Sequence, residues 1–576
     1  MKRIGTNIFS RNRGQTAIVL FLAIFTFFLL FTLRVFEQTG DSLWYAGTVK
    51  TGLGMFHANH LLYAPIVHLF YLVFSSISKS FDAIFAAQIH NIIWATVTIV
   101  AFYLIARRLL GSTIGGLLAA TCLLITQGFW IYSTIMEPYL PATGCLTLII
   151  AVLVFRSESK LGTAWLFAIS LLLAMSVLYA QLSVLFCIPL ILYLILSRGR
   201  QGWKAAATVL LVSGAIVLSA YILVYVFSTS GNRSPLEFLR FCLGYGINKN
   251  LGWGTFEHFS VDGVYSLLLA QGMNIVTSPI DWRISAVISA VAGTILVVFN
   301  AMQIVKRAAH YEIRSLMLTW IITYFIYNLW WLPWERDFFV TTLIPIMLLV
   351  FITLKDWSAK LIHTDSERTV SVALQSIVLI VIVAVGNGQP FLSLHSSRGW
   401  AYDWAYDVAE STPQECLACL AWYESQNLQY YFDRRWYPIH AMVLESYREE
   451  RQWELPQWQN EECMVVPWTY ITPWPSPLWT CQDCNGYDHP DQWLAFIEWL
   501  FNFKYDSQHR VIGCNEFKVF LGERTKAIFV EISSTQMEVE GLDQLFSMLD
   551  QKISEVSRTQ TNTLQSWLST VYPGLE

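Results

Sequence analysis

The chain has 576 residues, of which 55% are hydrophobic and only 14% charged, against about 25% charged in a soluble domain. With a mean hydropathy of +0.46, this excludes disorder, a fibrous repeat and an ordinary cytosolic enzyme. A net charge of −4 with no basic tract excludes a role centred on nucleic acid, and a polytopic membrane protein remains.

The charge is unevenly divided. Residues 1–390 carry 25 Lys+Arg and 15 Asp+Glu, whereas residues 391–576 carry 12 and 26. The first part is apolar and mildly basic. The second is polar, acidic and rich in Trp and Tyr. The turn-forming run Gly386-Asn387-Gly388-Gln389-Pro390 marks the expected boundary.

About 20 apolar residues are needed to cross the hydrocarbon core. In chain order, eleven segments are predicted to do so: 16–33, 83–105, 113–135, 139–155, 163–179, 182–196, 205–227, 284–304, 316–332, 338–354 and 370–385. A twelfth, 61–77, contains His68 and ends in serines. Lys and Arg are retained on the cytoplasmic side of short loops. If 61–77 does not span, 17 of the 25 basic residues fall on that side; if it spans, the bias collapses. Segment 61–77 is therefore read as lying in the outer interface, and 264–280 likewise. The N-terminus is expected in the cytoplasm, followed by a large first outer loop over 34–82, with the acidic part outside. No small-x-small site follows the first apolar run, so it reads as an uncleaved anchor.

The predicted spans are almost free of charge, so the informative acids are those at their outer ends. Asp41 follows the first span, Glu137 ends the third in Met136-Glu137-Pro138, and Glu335 and Asp337 flank Arg336 after Trp330, Trp331 and Trp334. A carboxylate at the edge of an apolar medium is costly unless solvated, paired or used. The bland readings are that Asp41 marks the water boundary, that Glu137 sits at the positive end of the next helix, that Arg336 pairs with its neighbours, and that the tryptophans form an interfacial belt. His57 and His60 are three apart and share a helix face. They offer two ligands at most, which does not complete a zinc site.

The order of these features resembles the integral-membrane glycosyltransferases of the C-type fold. More narrowly it resembles the bacterial relatives of protein mannosyltransferases and the aminoarabinose transferases. The landmarks are one span, then Asp41, then His57-Ala58-Asn59-His60-Leu61-Leu62-Tyr63-Ala64-Pro65, then a span closing in Arg107-Arg108, then a span ending in Glu137. They cover about the first 160 residues. Two departures stand out: Ser42 follows Asp41 where several members have a second acid, and His57 and His60 replace the more usual His-Pro-Pro.

The resemblance implies an α-helical polytopic fold of the C type in a bacterial inner membrane, and the acidic part reads from its own residue pattern as a small mixed α/β extracytoplasmic domain. The resemblance also implies transfer of a sugar from a polyprenyl-phosphate carrier, on the non-cytoplasmic face and with inversion. In that reading Asp41 is the general base and Glu137 a second catalytic acid. His57, His60, Tyr63, Glu335 and Arg336 are substrate-binding candidates, with Arg34, Lys50 and Arg283 as other cations for the phosphate. A divalent metal at Asp41 and Glu137 stays open, as do the sugar and the acceptor, whether glycan, lipid or protein. A transporter or flippase, or a non-catalytic scaffold with a partner-binding outer domain, are the alternatives.

In the acidic part, Cys416, Cys419, Cys463, Cys481, Cys484 and Cys514 favour disulfides in an oxidising compartment. Zinc held by the two C-x-x-C pairs is the competing expectation. Residues 511–520 and 527–532 alternate as strands do, and 542–556 has helical spacing.

Overall fold

The structure is a computed structural model. It describes residues 13–156, 162–228, 234–243, 254–276, 282–361, 365–420, 422–438, 463–468, 471, 500–501, 504–505, 511–512, 514–525, 527–537, 539 and 542–558. The chain forms two compact units, Met1–Glu37 with Tyr45–Ser397, and Gln38–Trp44 with Arg398–Glu576.

The first unit is helical. It runs α1 (Arg13–Thr32), α2 (Gly40–Thr51), α3 (Tyr63–Ile77), α4 (Ala83–Leu110), α5 (Thr113–Leu124), α6 (Gln127–Thr134), α7 (Tyr139–Phe155), α8 (Thr163–Tyr179), α9 (Cys187–Arg198), α10 (Arg200–Ser228), α11 (Pro235–Leu243), α12 (Val261–Ile275), α13 (Trp282–Val305), α14 (Tyr311–Trp331), α15 (Leu343–Leu361) and α16 (Asp365–Ser396). Helix α2 is divided, its residues Gly40–Trp44 belonging to the second unit. Among the described residues seven helices are long and apolar enough to cross a membrane, or eight if the bent pair α5–α6 is one span. The 17-residue helices α7 and α8 fall among the shorter apolar ones. The two segments expected at the interface, α3 and α12, have 15 residues each. That is about 22 Å of helix, short of a 30 Å core.

The longest well-packed helix, α4, starts and stops on local signals. Asp82 accepts from the Phe85 amide at 2.8 Å as its N-cap, and Gly111 closes it at φ 70°. A Cβ on Gly116 would lie 2.9 Å from Arg107 Cβ, so this glycine lets α5 return closely against α4. The predicted span 113–135 is in fact broken, with α5 and α6 meeting at 66°. The turn-forming run at 386–390 is not a boundary either. Helix α16 continues through Pro390 to Ser396, and Asn387 is used for packing: its amide donates to the carbonyls of Ile125 and Ile275, at 2.9 Å each.

In the second unit, α17 (Trp400–Ser411) and α18 (Trp422–Phe432) accompany a five-stranded sheet. Its strands are β1 (Leu417–Leu420), β2 (Trp436–Pro438), β3 (Cys463–Pro467), β6 (Cys514–Leu521) and β7 (Ile528–Met537), in the order β2-β1-β3-β7-β6. β1 runs parallel to β2 and β3, while β7 is antiparallel to β3 and β6. A separate pair joins β4 (Lys504–Tyr505) and β5 (Val511–Ile512), and α19 (Leu542–Arg558) follows the sheet. The two predicted strands and the predicted helix are thus present. One face of the sheet buries Met464, Val466, Val530 and Ile532 with Leu545 and Leu549 of α19; the other buries Ala418, Leu420 and Phe529 with Trp404 and Val408 of α17. Gly522, in the β6–β7 turn, leaves room for Asp407, whose carboxylate accepts from the Arg524 and Thr525 amides at 3.0 and 2.9 Å.

Cys416 and Cys463 form a disulfide. Cys419, the other member of the Cys416 C-x-x-C pair, has a buried thiol 3.4 Å from the Met464 sulfur. Cys514 is a buried thiol as well. Cys481 and Cys484 lie outside the described residues.

Glu424, in the first turn of α18, is 3% exposed, and its Oε2 is buried without a hydrogen-bond partner. Burial pushes its carboxyl up to about 7. A raised folded-state value contributes stability below the unfolded value near 4.5 and loses it as pH rises through 7. Glu424→Gln is expected to leave stability unchanged at pH 4.5 and raise it at pH 8. Thermal unfolding of the full chain at both pH values checks this, and an equal effect at both would count against it.

Candidate active site at the helix ends

The polar groups of the first unit collect where α2, α3, α4, α6 and α7 begin or end. Asn91 of α4 is fully buried, and its amide donates to the Ile135 carbonyl at 2.7 Å, the Glu137 carbonyl at 2.9 Å and the Tyr63 hydroxyl at 3.2 Å. One neutral side chain thereby joins the start of α3 to the α6–α7 link that carries Glu137. Glu137 itself is 2% exposed. His90 completes the cluster, donating from Nδ1 to Asn91 Oδ1 at 3.0 Å and accepting at Nε2 from the Tyr179 hydroxyl at 3.2 Å.

His57 and His60 flank the 3-10 turn Ala58–His60 with stacked rings, 5.8 Å between centroids. Tyr45 meets His60 and Tyr63 edge-on at 5.9 and 5.7 Å, and Tyr139 meets His60 at 5.7 Å. His60 Nδ1 donates to the Tyr179 carbonyl at 3.0 Å, which leaves Nε2 as an acceptor. Burial, helped by the neighbouring His57, pushes His60 down to about 3, and burial lowers His57 as well. At neutral pH both rings are therefore uncharged. They can hydrogen-bond as neutral rings and add no positive charge. No group of three His, Cys, Asp or Glu able to hold a metal occurs among the described residues.

These histidines have a consequence for stability. Their folded-state values lie below the unfolded value of 6.5, so the stability they contribute is present above pH 6.5. It is lost as pH falls toward the folded values. The expected result is an unfolding temperature that declines from pH 6.5 to pH 4 and declines less in His60→Gln. An identical pH slope in the variant would refute the assignment.

Arg336 lies where the chain turns into the 3-10 segment Asp337–Thr342. It makes no ion pair with its acidic neighbours among the described residues. Its Nη2 donates to Gln127 Oε1 at 2.8 Å and to the Met273 carbonyl at 3.2 Å, and its own carbonyl accepts from Asn274 Nδ2 at 2.8 Å. Asp337 instead accepts from the Tyr132 hydroxyl. Tyr132 meets Tyr139 edge-on at 6.4 Å, so the Arg336 turn and the His60 cluster are joined by a row of aromatic rings. Glu335 is half-buried in the same turn.

Asp41 is exposed in the first turn of α2, where the positive end of the helix dipole favours a carboxylate. It lies one helical turn before Tyr45. Of the other cations, Arg34 stacks on Phe31 and Phe36 and donates to the Phe31 carbonyl at 2.9 Å. Lys50 is exposed in the last turn of α2. The side chain of Arg283 lies outside the described residues. The sequence reading missed Asn91, His90, Tyr132, Gln127 and Asn274.

The comparisons follow from this architecture. Residues 77–226 match the family model described as dolichyl-phosphate-mannose-protein mannosyltransferase. The structure superimposes on ArnT from Cupriavidus metallidurans bound to undecaprenyl phosphate, with TM-score 0.52 and 13% identity over 90% of this chain and 98% of that one. It also superimposes on the archaeal oligosaccharyltransferase AglB from Archaeoglobus fulgidus, in complex with an inhibitory peptide and a dolichol-phosphate. There the TM-score is 0.53, with 12% identity over 90% of this chain and 74% of that one. The chain has the C-type glycosyltransferase fold. No curated protein matches by sequence. At this identity it is the fold that the C-type chain shares with the two solved structures. Its own departures, Ser42 after Asp41 and the His57/His60 pair, fall in the stretch before residue 77, where the family match begins.

Proposed function

We propose that the protein is a membrane glycosyltransferase that moves a sugar from a polyprenyl-phosphate carrier to an acceptor hydroxyl on the non-cytoplasmic face. The observation that carries this reading is Arg336: a guanidinium at the ends of apolar helices whose hydrogen bonds go to a neutral amide and a backbone carbonyl. Such a group binds an anion presented at the interface, and a glycosyl phosphate on a lipid is an anion delivered at that depth. The two solved structures with this fold are described with undecaprenyl phosphate and with a dolichol-phosphate, which supports a donor of that class.

In this mechanism Asp41 takes the proton from the acceptor hydroxyl. The acceptor oxygen forms a bond to the anomeric carbon as the bond from that carbon to the phosphate oxygen breaks. The phosphate leaves with the electron pair, its charge balanced by Arg336. A single displacement inverts the anomeric centre. The neutral imidazoles of His57 and His60 offer acceptors to sugar hydroxyls, and Tyr63, fully buried, accepts from Asn91. Glu137 is a second acid held by the Asn91 network.

The test is a transfer assay in membranes containing the full chain, with a panel of radiolabelled polyprenyl-phosphate sugars. Time-dependent release of polyprenyl phosphate with the label moved to another molecule supports the reading. No transfer from any member, with the protein folded and correctly inserted, overturns it.

A further inference from the structure

The neighbourhood of Arg336 contains more polar design than an ion pair would need. Two carboxylates adjoin Arg336 in sequence, yet Asp337 is turned toward Tyr132 and the guanidinium toward an amide and a carbonyl. Gln127 is 4% exposed, and Asn274 is fully buried. Gln127 is the first residue of α6 after the 66° break, and that break is itself held by Asn387, whose amide reaches the carbonyls of Ile125 and Ile275. Asn274 grips the backbone of Arg336, and its own position depends on a glycine: a Cβ on Gly128 would lie 2.6 Å from Asn274 Oδ1. The Nε of Arg336 is buried with no hydrogen-bond partner. Nη2 is thus held by neutral acceptors, and Nε, on the same edge of the guanidinium, has no partner.

We infer that Gln127 and Asn274 are positioning residues that fix Arg336 through neutral contacts, so that its positive charge serves a phosphate oxygen of the lipid-linked donor. The inference rests on the reading of Arg336 given above. Its specific content is that residue 127 must be neutral. A carboxylate there would sit 2.8 Å from the guanidinium, keep it equally well ordered, and cancel the charge that an incoming phosphate needs. A purely structural role makes the opposite demand, because an ion pair would serve packing at least as well as an amide.

The experiment is equilibrium binding of undecaprenyl phosphate to the full-length protein in detergent, followed by intrinsic tryptophan fluorescence. Undecaprenol and inorganic phosphate serve as parallel probes of the tail and of the free anion. Gln127→Glu is expected to weaken undecaprenyl phosphate binding at least tenfold, with undecaprenol binding and unfolding temperature unchanged. Gln127→Met, which removes the hydrogen bond without adding charge, is expected to weaken it about threefold and covers the case in which the acidic variant folds poorly. If Arg336→Ala abolishes binding while both Gln127 variants keep wild-type affinity, the positioning role is wrong and the role of Arg336 survives. If Arg336→Ala itself keeps wild-type affinity, or the wild type does not bind undecaprenyl phosphate, the proposed function loses its supporting observation.

Discussion

Asp41→Asn is expected to reduce sugar transfer by about 10²–10⁴-fold, the usual range for removing a positioned general base, with the protein still inserted and folded. The substitution keeps the size of the side chain and removes only its basicity. Asp41 is exposed in the first turn of α2, and asparagine is tolerated at a helix start, so no large loss of stability should accompany it. The split between kinetic parameters is informative. A base acts in the transition state, so kcat should fall with little change in KM for the lipid donor. The Arg336 substitution should instead act on donor affinity. Initial rates at saturating donor, together with undecaprenyl phosphate binding to the same preparation, check this. Transfer by Asp41→Asn within twofold of wild type would remove Asp41 from the chemistry.

The parts of the fold that were legible in the sequence are those written in long apolar periodicity. The apolar helices, the short helices α3 and α12, the strands β6 and β7 and the helix α19 follow from segment length and repeat, although only seven or eight of the eleven predicted spans are long and apolar enough to cross. Two features were not legible for a common reason. The break between α5 and α6 and the continuation of α16 through Gly386–Pro390 are each decided by tertiary hydrogen bonds from one buried asparagine, Asn387. Local turn propensity gave way to packing at 386–390, and apolar continuity gave way to it at 125–126.

The candidate site divides in the same way. Charged and aromatic landmarks at the helix ends, namely Asp41, His57, His60, Tyr63, Glu137 and Arg336, could be picked out because charge is scarce in this chain. The neutral residues that hold them could not. Asn91, Gln127 and Asn274 carry no charge, yet each is nearly or fully buried among apolar helices and hydrogen-bonded to functional segments. A signal did exist. An amide inside an otherwise apolar run is expensive unless it is satisfied, so Gln88-Ile89-His90-Asn91 and Thr126-Gln127-Gly128 mark the site as clearly as the acids do.

Reduction of the second unit is expected to cost about 4 kcal/mol of its stability. Cys416 and Cys463 close a sequence separation of 47 residues, and in the chain-entropy view a crosslink over that length removes roughly that much freedom from the unfolded chain. The location adds to the effect. The bridge joins the entrances to β1 and β3, which pair in parallel. Parallel neighbours are connected by long crossovers that the chain must otherwise close unaided. The double variant Cys416→Ser/Cys463→Ser should therefore lower the unfolding temperature of the second unit and make β1 and β3 accessible to limited proteolysis. Thiol counting separates this from zinc ligation. In denaturant without reductant, the wild type should hold back two thiols that the double variant lacks. Reaction of every thiol under those conditions, with one equivalent of zinc released, would replace the crosslink by a metal site and remove the stability argument with it.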